Sequence, residues 1–143
     1  MPITLTLPEG LLSPEAQARA FAGLTDALLE VANLTGNAFM TPNVIGSINV
    51  LPKEQMRAGG EPVAAAFIEL KLPAIALATP EAKKAFIEKA TDVVEEAAEG
   101  RLKRAHIWSN IVYAPDGAWG IAGESYSNAD LVDAITGAVA QAG

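Results

Sequence analysis

Ile68-Glu69-Leu70-Lys71-Leu72-Pro73 restates, 65 residues later, the pattern of Ile3-Thr4-Leu5-Thr6-Leu7-Pro8. In both stretches apolar side chains occupy every second position, the mark of a half-buried β-strand, and a proline then ends the ladder. The likeness extends outward from this pair. Ser13-Pro14-Glu15-Ala16 returns 66 residues on as Thr79-Pro80-Glu81-Ala82. Each copy supplies a hydroxyl to cap a helix, a proline at the first helical position and an acid at the positive end of the helix dipole. Thr25-Asp26 followed by Glu30 likewise returns as Thr91-Asp92 followed by Glu96. In the first helix Phe21, Leu24, Leu28 and Val31 recur at helical spacing, and the helix should stop between Asn33 and Gly36. Each half then has a second strand, Val44 to Leu51 closed by Pro52 and Ile107 to Tyr113 closed by Pro115. The reading is two βαβ units, 2–62 and 63–127, related by duplication.

Two such units are too few for a solenoid. They predict an α+β fold, a two-layer α/β sandwich with a four-stranded mixed sheet. Right-handed crossovers about a pseudo-twofold axis put both helices on one face of that sheet. The other face carries Thr4, Thr6, Glu69 and Lys71, too polar for a helix to cover and too extensive to leave wet. Association through the sheet is the expected remedy. Arg57-Ala58-Gly59-Gly60 reads as a flexible turn, and 118–127, with Trp119, Tyr126 and interspersed glycines, as a short hairpin. Asn128 is the expected cap of a C-terminal helix over 128–141, with Leu131, Val132, Ile135 and Val139 as its apolar stripe. The whole of 1–143 is read as a single domain.

Composition narrows the function. The chain has 143 residues, 50% of them hydrophobic, with 17 acids against 10 bases and a formal net charge of −7. A domain of this size buries roughly 70% of its unfolded surface and needs no staple. With no cysteine, thiol catalysis, the usual cysteine-held zinc and iron–sulfur ligation are ruled out. His106 is the only histidine, so histidine-rich metal sites are ruled out as well. The acidic balance would repel a phosphate backbone, and the longest basic cluster is only Arg101, Lys103 and Arg104. No nucleic acid, metal, cofactor or membrane partner is expected. No apolar run approaches the ~20 residues of a membrane helix, and the N-terminal stretch lacks signal-peptide character, so a cytoplasmic location is expected.

One candidate for chemistry remains, the first dipeptide. Removal of Met1, expected when a small residue follows it, would turn Pro2 into a secondary amine at the start of a buried strand. A free α-amine titrates near ~8, and desolvation or nearby cations lower that value toward neutrality. Such a base can take a proton from carbon beside a carbonyl and return it elsewhere, provided donors or cations stabilise the enolate.

Met1-Pro2-Ile3, the alternating strand, Glu9-Gly10, the capped helix and Trp119-Gly120-Ile121-Ala122-Gly123-Glu124 together resemble the tautomerase superfamily. Its members include 4-oxalocrotonate tautomerase, malonate semialdehyde decarboxylase, the chloroacrylate dehalogenases and macrophage migration inhibitory factor. Asp116-Gly117-Ala118-Trp119-Gly120 with Asp130-Leu131-Val132 looks most like the decarboxylase and bacterial tautomerase-like proteins. The resemblance implies a homotrimer of duplicated subunits whose sheets form an inner barrel, each site built on an amino-terminal proline that maps onto Pro2. Trp119 falls where small tautomerases carry an aromatic wall that keeps the amine uncharged; alternatively it packs the hairpin.

The chain also departs from the family pattern. Leu11 and Leu12 stand where small tautomerases have a cation after the first strand. Pro73-Ala74-Ile75-Ala76 stands where decarboxylase-like and dehalogenase-like members have paired arginines, and only Asn43 or Asn110 lies near the place of their water-activating carboxylate. These departures weigh against dehalogenase and decarboxylase chemistry. Lys71 is the substitute cation, brought near the start of the first strand if the two leading strands run antiparallel as in the family. It would hold a substrate carboxylate or lower the Pro2 pKa, or else pair with Glu69 or another acid. His106 is a candidate substrate donor or a structural residue at a strand entrance, and Asn110 is a candidate pocket donor.

The leading expectation is a cofactor-free keto–enol tautomerase acting on a small 2-oxo acid or enol. The alternatives are an oligomer that keeps the scaffold as a binding protein, and a hydratase or decarboxylase working through the same proline.

Overall fold

The computed structural model describes residues 1–142. Alternation makes β1 (Ile3–Pro8) and β5 (Ala66–Pro73), which pair antiparallel at the centre of the sheet with Ile3 opposite Leu70 and Thr4 opposite Glu69. β2 (Gly46–Leu51) runs parallel to β1 and β6 (Ile107–Ala114) parallel to β5, giving a mixed four-stranded sheet in the order β2-β1-β5-β6. Each parallel pair is joined by one helix, α1 (Pro14–Val31) or α2 (Pro80–Ala98), so the chain contains two βαβ units. Both helices start as their sequences predict: Ser13 Oγ accepts from the Ala16 N–H and Thr79 Oγ1 from the Ala82 N–H, each at 3.1 Å, with proline in the first turn.

Both helices cover the same face. Ile3, Leu5, Leu7, Ile68, Leu70 and Leu72 point into it and are no more than 1% exposed. Leu24 and Leu28 of α1 and Phe86 and Val94 of α2 close the core above them at 0% exposure. The helices approach closely because Gly23 has no side chain; a Cβ there would lie 2.8 Å from Val93 Cγ1. On the opposite face Thr4 and Thr6 are half-buried, while Phe67, Trp108 and Val112 are 37%, 55% and 46% exposed. That face is therefore less polar than the leading strands alone suggest.

Two local expectations are corrected. Arg57-Ala58-Gly59-Gly60 is no loose turn: β3 (Arg57–Ala58) and β4 (Glu61–Pro62) form a hairpin around the two glycines. The Arg57 side chain fastens it, Nε donating to Glu54 O at 2.9 Å and Nη1 to Gly60 O at 2.8 Å. The last helix, α3 (Asn128–Ala142), is capped by Ser127 in place of Asn128. Ser127 Oγ accepts from the Asp130 N–H at 3.1 Å, and Asp130 Oδ2 accepts from the Ser127 N–H at 2.8 Å, a reciprocal capping box. The Ser127 hydroxyl, donating to Asp130 Oδ2 at 2.7 Å, and the Ser127 N–H together hold the Asp130 carboxyl below its usual pKa. Leu131 is buried and Ile135 packs on the core; the side chain of Val139 and all of Gly143 lie outside the described residues. β7 (Trp119–Ile121) and β8 (Glu124–Tyr126) form the expected hairpin before α3. No helix among the described residues is long and apolar enough to cross a membrane.

Candidate active site

Pro2 precedes β1 by one residue and is held at its tip from both sides. Its carbonyl accepts the Lys71 N–H at 3.0 Å, and the next residue, Ile3, donates its N–H to Ile45 O at 2.8 Å. The register that pairs Ile3 with Leu70 brings Pro2, one step on, opposite Lys71. Half-buried Pro2 lines a cavity of about 490 Å³ with Asn43, Ile45, Lys71, Tyr113 and Trp119. Lys71 is the single charged side chain among the described residues around it.

The structure carries Met1, so the Pro2 nitrogen is a tertiary amide without basicity. Met1 is only 3% exposed, and its amine donates to the Asn43 carbonyl. Burial lowers that amine from 8.0 to about 6, because desolvation disfavours its charged form. The Met1 amine is thus in surroundings that favour its neutral state.

Lys71 Nζ lies 3.4 Å from Glu69 Oε1, with side-chain exposures of 56% and 42%. Such an exposed pair contributes little stability and can be exchanged for another anion. Trp119, on β7, is half-buried and lines the cavity. Tyr113 brings in the loop after β5: its hydroxyl lies 3.0 Å from both Ala76 O and Leu77 O, donating its proton to one at a time, and burial raises its pKa. Leu77 has φ +46°, an uncommon backbone angle for leucine, in the segment those bonds hold.

Within one chain the other two candidates are not brought to Pro2. Asn110 pairs with Glu69 in the β5–β6 register and is exposed on the open face, outside the cavity lining. His106 sits just before the opposite end of β6, six residues and so ~20 Å of strand from Val112, the partner of Lys71. It borders a separate space of about 260 Å³ with Arg57, Phe67 and Trp108. Parallel β5 and β6 put the start of one strand beside the start of the other, so a residue preceding β6 cannot neighbour the end of β5. Tyr113 and Ile45 escape sequence reasoning: Tyr113 occupies a core-facing position in an alternating strand, and only Pro115, marking the strand's end, hints at a rim. Among the described residues no cluster of His, Asp and Glu could hold a metal ion.

No family model matches the chain, and no curated protein does. Solved structures match it over most of their length. Q0, a wild-type fused 4-OT in a symmetric trimer, superposes with a TM-score of 0.74 at 18% identity, covering 92% of this chain and 98% of its own. Pt0534, crystallised after inactivation by 2-oxo-3-pentynoate, gives 0.73 at 17% identity, covering 92% and 98%. Macrophage migration inhibitory factor from Toxoplasma gondii gives 0.66 at 14% identity, covering 88% and 100%. Paired βαβ units with both helices on one face of a mixed four-stranded sheet agree with these likenesses: the chain has the α+β fold of the tautomerase superfamily.

Proposed function

We propose that the protein, once Met1 is removed, is a cofactor-independent keto–enol tautomerase with Pro2 as general base and a small 2-oxo acid or enol as substrate. The observation that carries this reading is the place of Pro2, half-buried at a strand tip in a cavity where the neighbouring Lys71 is the one charged side chain among the described residues. The Pro2 nitrogen takes a proton from the carbon beside the carbonyl. The C–H electrons become the C=C bond and those of the C=O bond move to oxygen. Returning the proton to oxygen gives the enol, and returning it to carbon gives the ketone. Lys71 turns from Glu69 to the substrate carboxylate or the enolate oxygen, and Trp119 walls the cavity and keeps the amine poorly solvated.

The working form is a homotrimer associated through the open sheet face. Supporting this are the trimeric state of Q0 and the exposure of Phe67, Trp108 and Val112 around Thr4, Thr6 and Glu69. A second reading, a binding oligomer without efficient chemistry, is favoured by the Lys71–Glu69 pair, in which Glu69 offsets the charge of Lys71.

Intact mass of the purified protein first establishes whether Met1 is lost. Interconversion of phenylpyruvate or 2-hydroxymuconate enol is then compared in the processed wild type, Pro2→Ala and Lys71→Ala. Turnover that falls strongly in both variants supports the enzyme. A processed wild type that converts neither enol supports the binding protein.

A further inference from the structure

We infer that the place filled by the Met1 side chain is the binding site for the substrate's apolar chain, and that the preferred substrates are 2-oxo monocarboxylates bearing an unbranched alkyl chain of medium length. This inference rests on Pro2 being the base.

Met1 stands where two cavities meet. One is the space beside Pro2 and Lys71; the other is a chamber of about 300 Å³ between the segment after β5 and the start of α3. Met1, Asn43, Trp119 and Ile121 border both. The chamber is lined by Ile75, Leu77, Leu131 and Ile135 among others, and no described residue around it carries a charged side chain. The two spaces therefore differ in chemistry, one holding a lysine and the other holding only apolar groups with Asn43 and Thr79.

Removing Met1 joins them and fixes how a ligand lies across the junction. The Pro2 nitrogen is bonded to the Met1 carbonyl carbon in the intact chain, so the freed lone pair and N–H flank that same direction. A substrate carbon giving its proton to Pro2 takes roughly the place of the lost carbonyl carbon. A carboxylate on one side of that carbon reaches toward Lys71. A chain on the other side follows the path of the Met1 side chain, which is 3% exposed and already demonstrates an unbranched apolar group seated there. A second carboxylate at the end of that chain would enter the chamber stripped of water with no cation among the described residues to meet it.

The test uses Met1-free protein and three probes: 2-oxobutanoate, 2-oxooctanoate and 2-oxooctanedioate. Exchange of the C3 protons in D₂O is followed by NMR, and equilibrium binding by calorimetry. Binding and kcat/KM for 2-oxooctanoate should exceed those for 2-oxobutanoate on the order of a hundredfold, and the dioate should fall well below the monocarboxylate of equal length. Protein retaining Met1, prepared with methionine aminopeptidase inhibited, should lose the chain-length preference in binding. Ile75→Lys, at a position already 40% exposed, should reverse the preference between octanoate and octanedioate forms. Exchange without a chain-length preference would overturn this inference and leave the base intact. Preferential binding of 2-oxooctanoate without exchange would keep the chamber and overturn the base. Equal binding of all three probes would overturn the chamber whatever the exchange rates.

Discussion

The Lys71 N–H donates to the Pro2 carbonyl at 3.0 Å, so the proposed base and the cation proposed to serve it are joined through the sheet's central antiparallel pair. A displacement of β1 against β5 would carry Pro2 away from Lys71. The relation depends on the strands' ends and holds whatever the loops do, so it can be disturbed from the far side of β1.

Gly46 offers that disturbance. A Cβ at Gly46 would lie 1.8 Å from Ile3 O, a backbone atom that cannot swing aside. Gly46→Ala should therefore push the tip of β1 away from β2 and destabilise the fold by about 2–3 kcal/mol. Chemical denaturation measures the loss. Enol turnover at temperatures where the variant is still folded should fall as well, because Pro2 follows the displaced strand.

Tyr113→Phe removes the hydroxyl held between Ala76 O and Leu77 O without changing the ring. The expected cost is about 1 kcal/mol, one partly buried hydrogen bond. Hydrogen exchange should quicken in residues 74–79. Calorimetry against the wild type gives the energy, and an unchanged melting temperature with unchanged exchange would show that the hydroxyl does not hold this segment.

The Met1 amine gives a pH dependence with a definite sign. Its pKa falls from 8.0 to about 6 on folding, so between those values the unfolded chain binds more protons than the folded one. Chain retaining Met1 should be most stable above pH ~8, lose that contribution as pH falls toward ~6, and lose no more of it below. Denaturation midpoints of the Met1-retaining protein, followed across this window, measure the contribution, and a midpoint that does not fall between pH ~8 and ~6 would contradict it.

Much of the fold is legible in the sequence because it is written twice in local terms. Period-two alternation, a hydroxyl–proline–acid helix start and strand-ending prolines act within a few residues, and their recurrence gives topology as well as elements. Where a local signal has two solutions, the reading fails. Gly59-Gly60 permits a loose turn and a tight hairpin alike, and the bonds from Arg57 that choose between them run to backbone carbonyls invisible in composition. Ser127 and Asn128 are both good caps, and Asp130, standing three residues after Ser127, decides between them.

The site is legible only in part, for a related reason. Lys71 comes to Pro2 through strand pairing, which the repeat and the antiparallel expectation make readable. His106 and Asn110 have suitable side chains, but parallel pairing fixes their distance along β6, and chemistry alone cannot override it. The apolar chamber draws on α1, the segment after β5, β7 and α3 together, elements whose meeting no spacing in the sequence foretells.

Base catalysis at the tip of β1 requires a neutral, unblocked Pro2 nitrogen in the cavity. 2-Oxo-3-pentynoate carries an alkyne activated by its ketone and adds to such a nitrogen, so the most direct measurement is mass spectrometry of the native protein after treatment with it, with the labelled peptide mapped. With Pro2 as the base, the expected result is a chain lacking Met1, carrying one inhibitor, with the label on Pro2. A chain that retains Met1, or one that loses it and is labelled elsewhere or not at all, would contradict it.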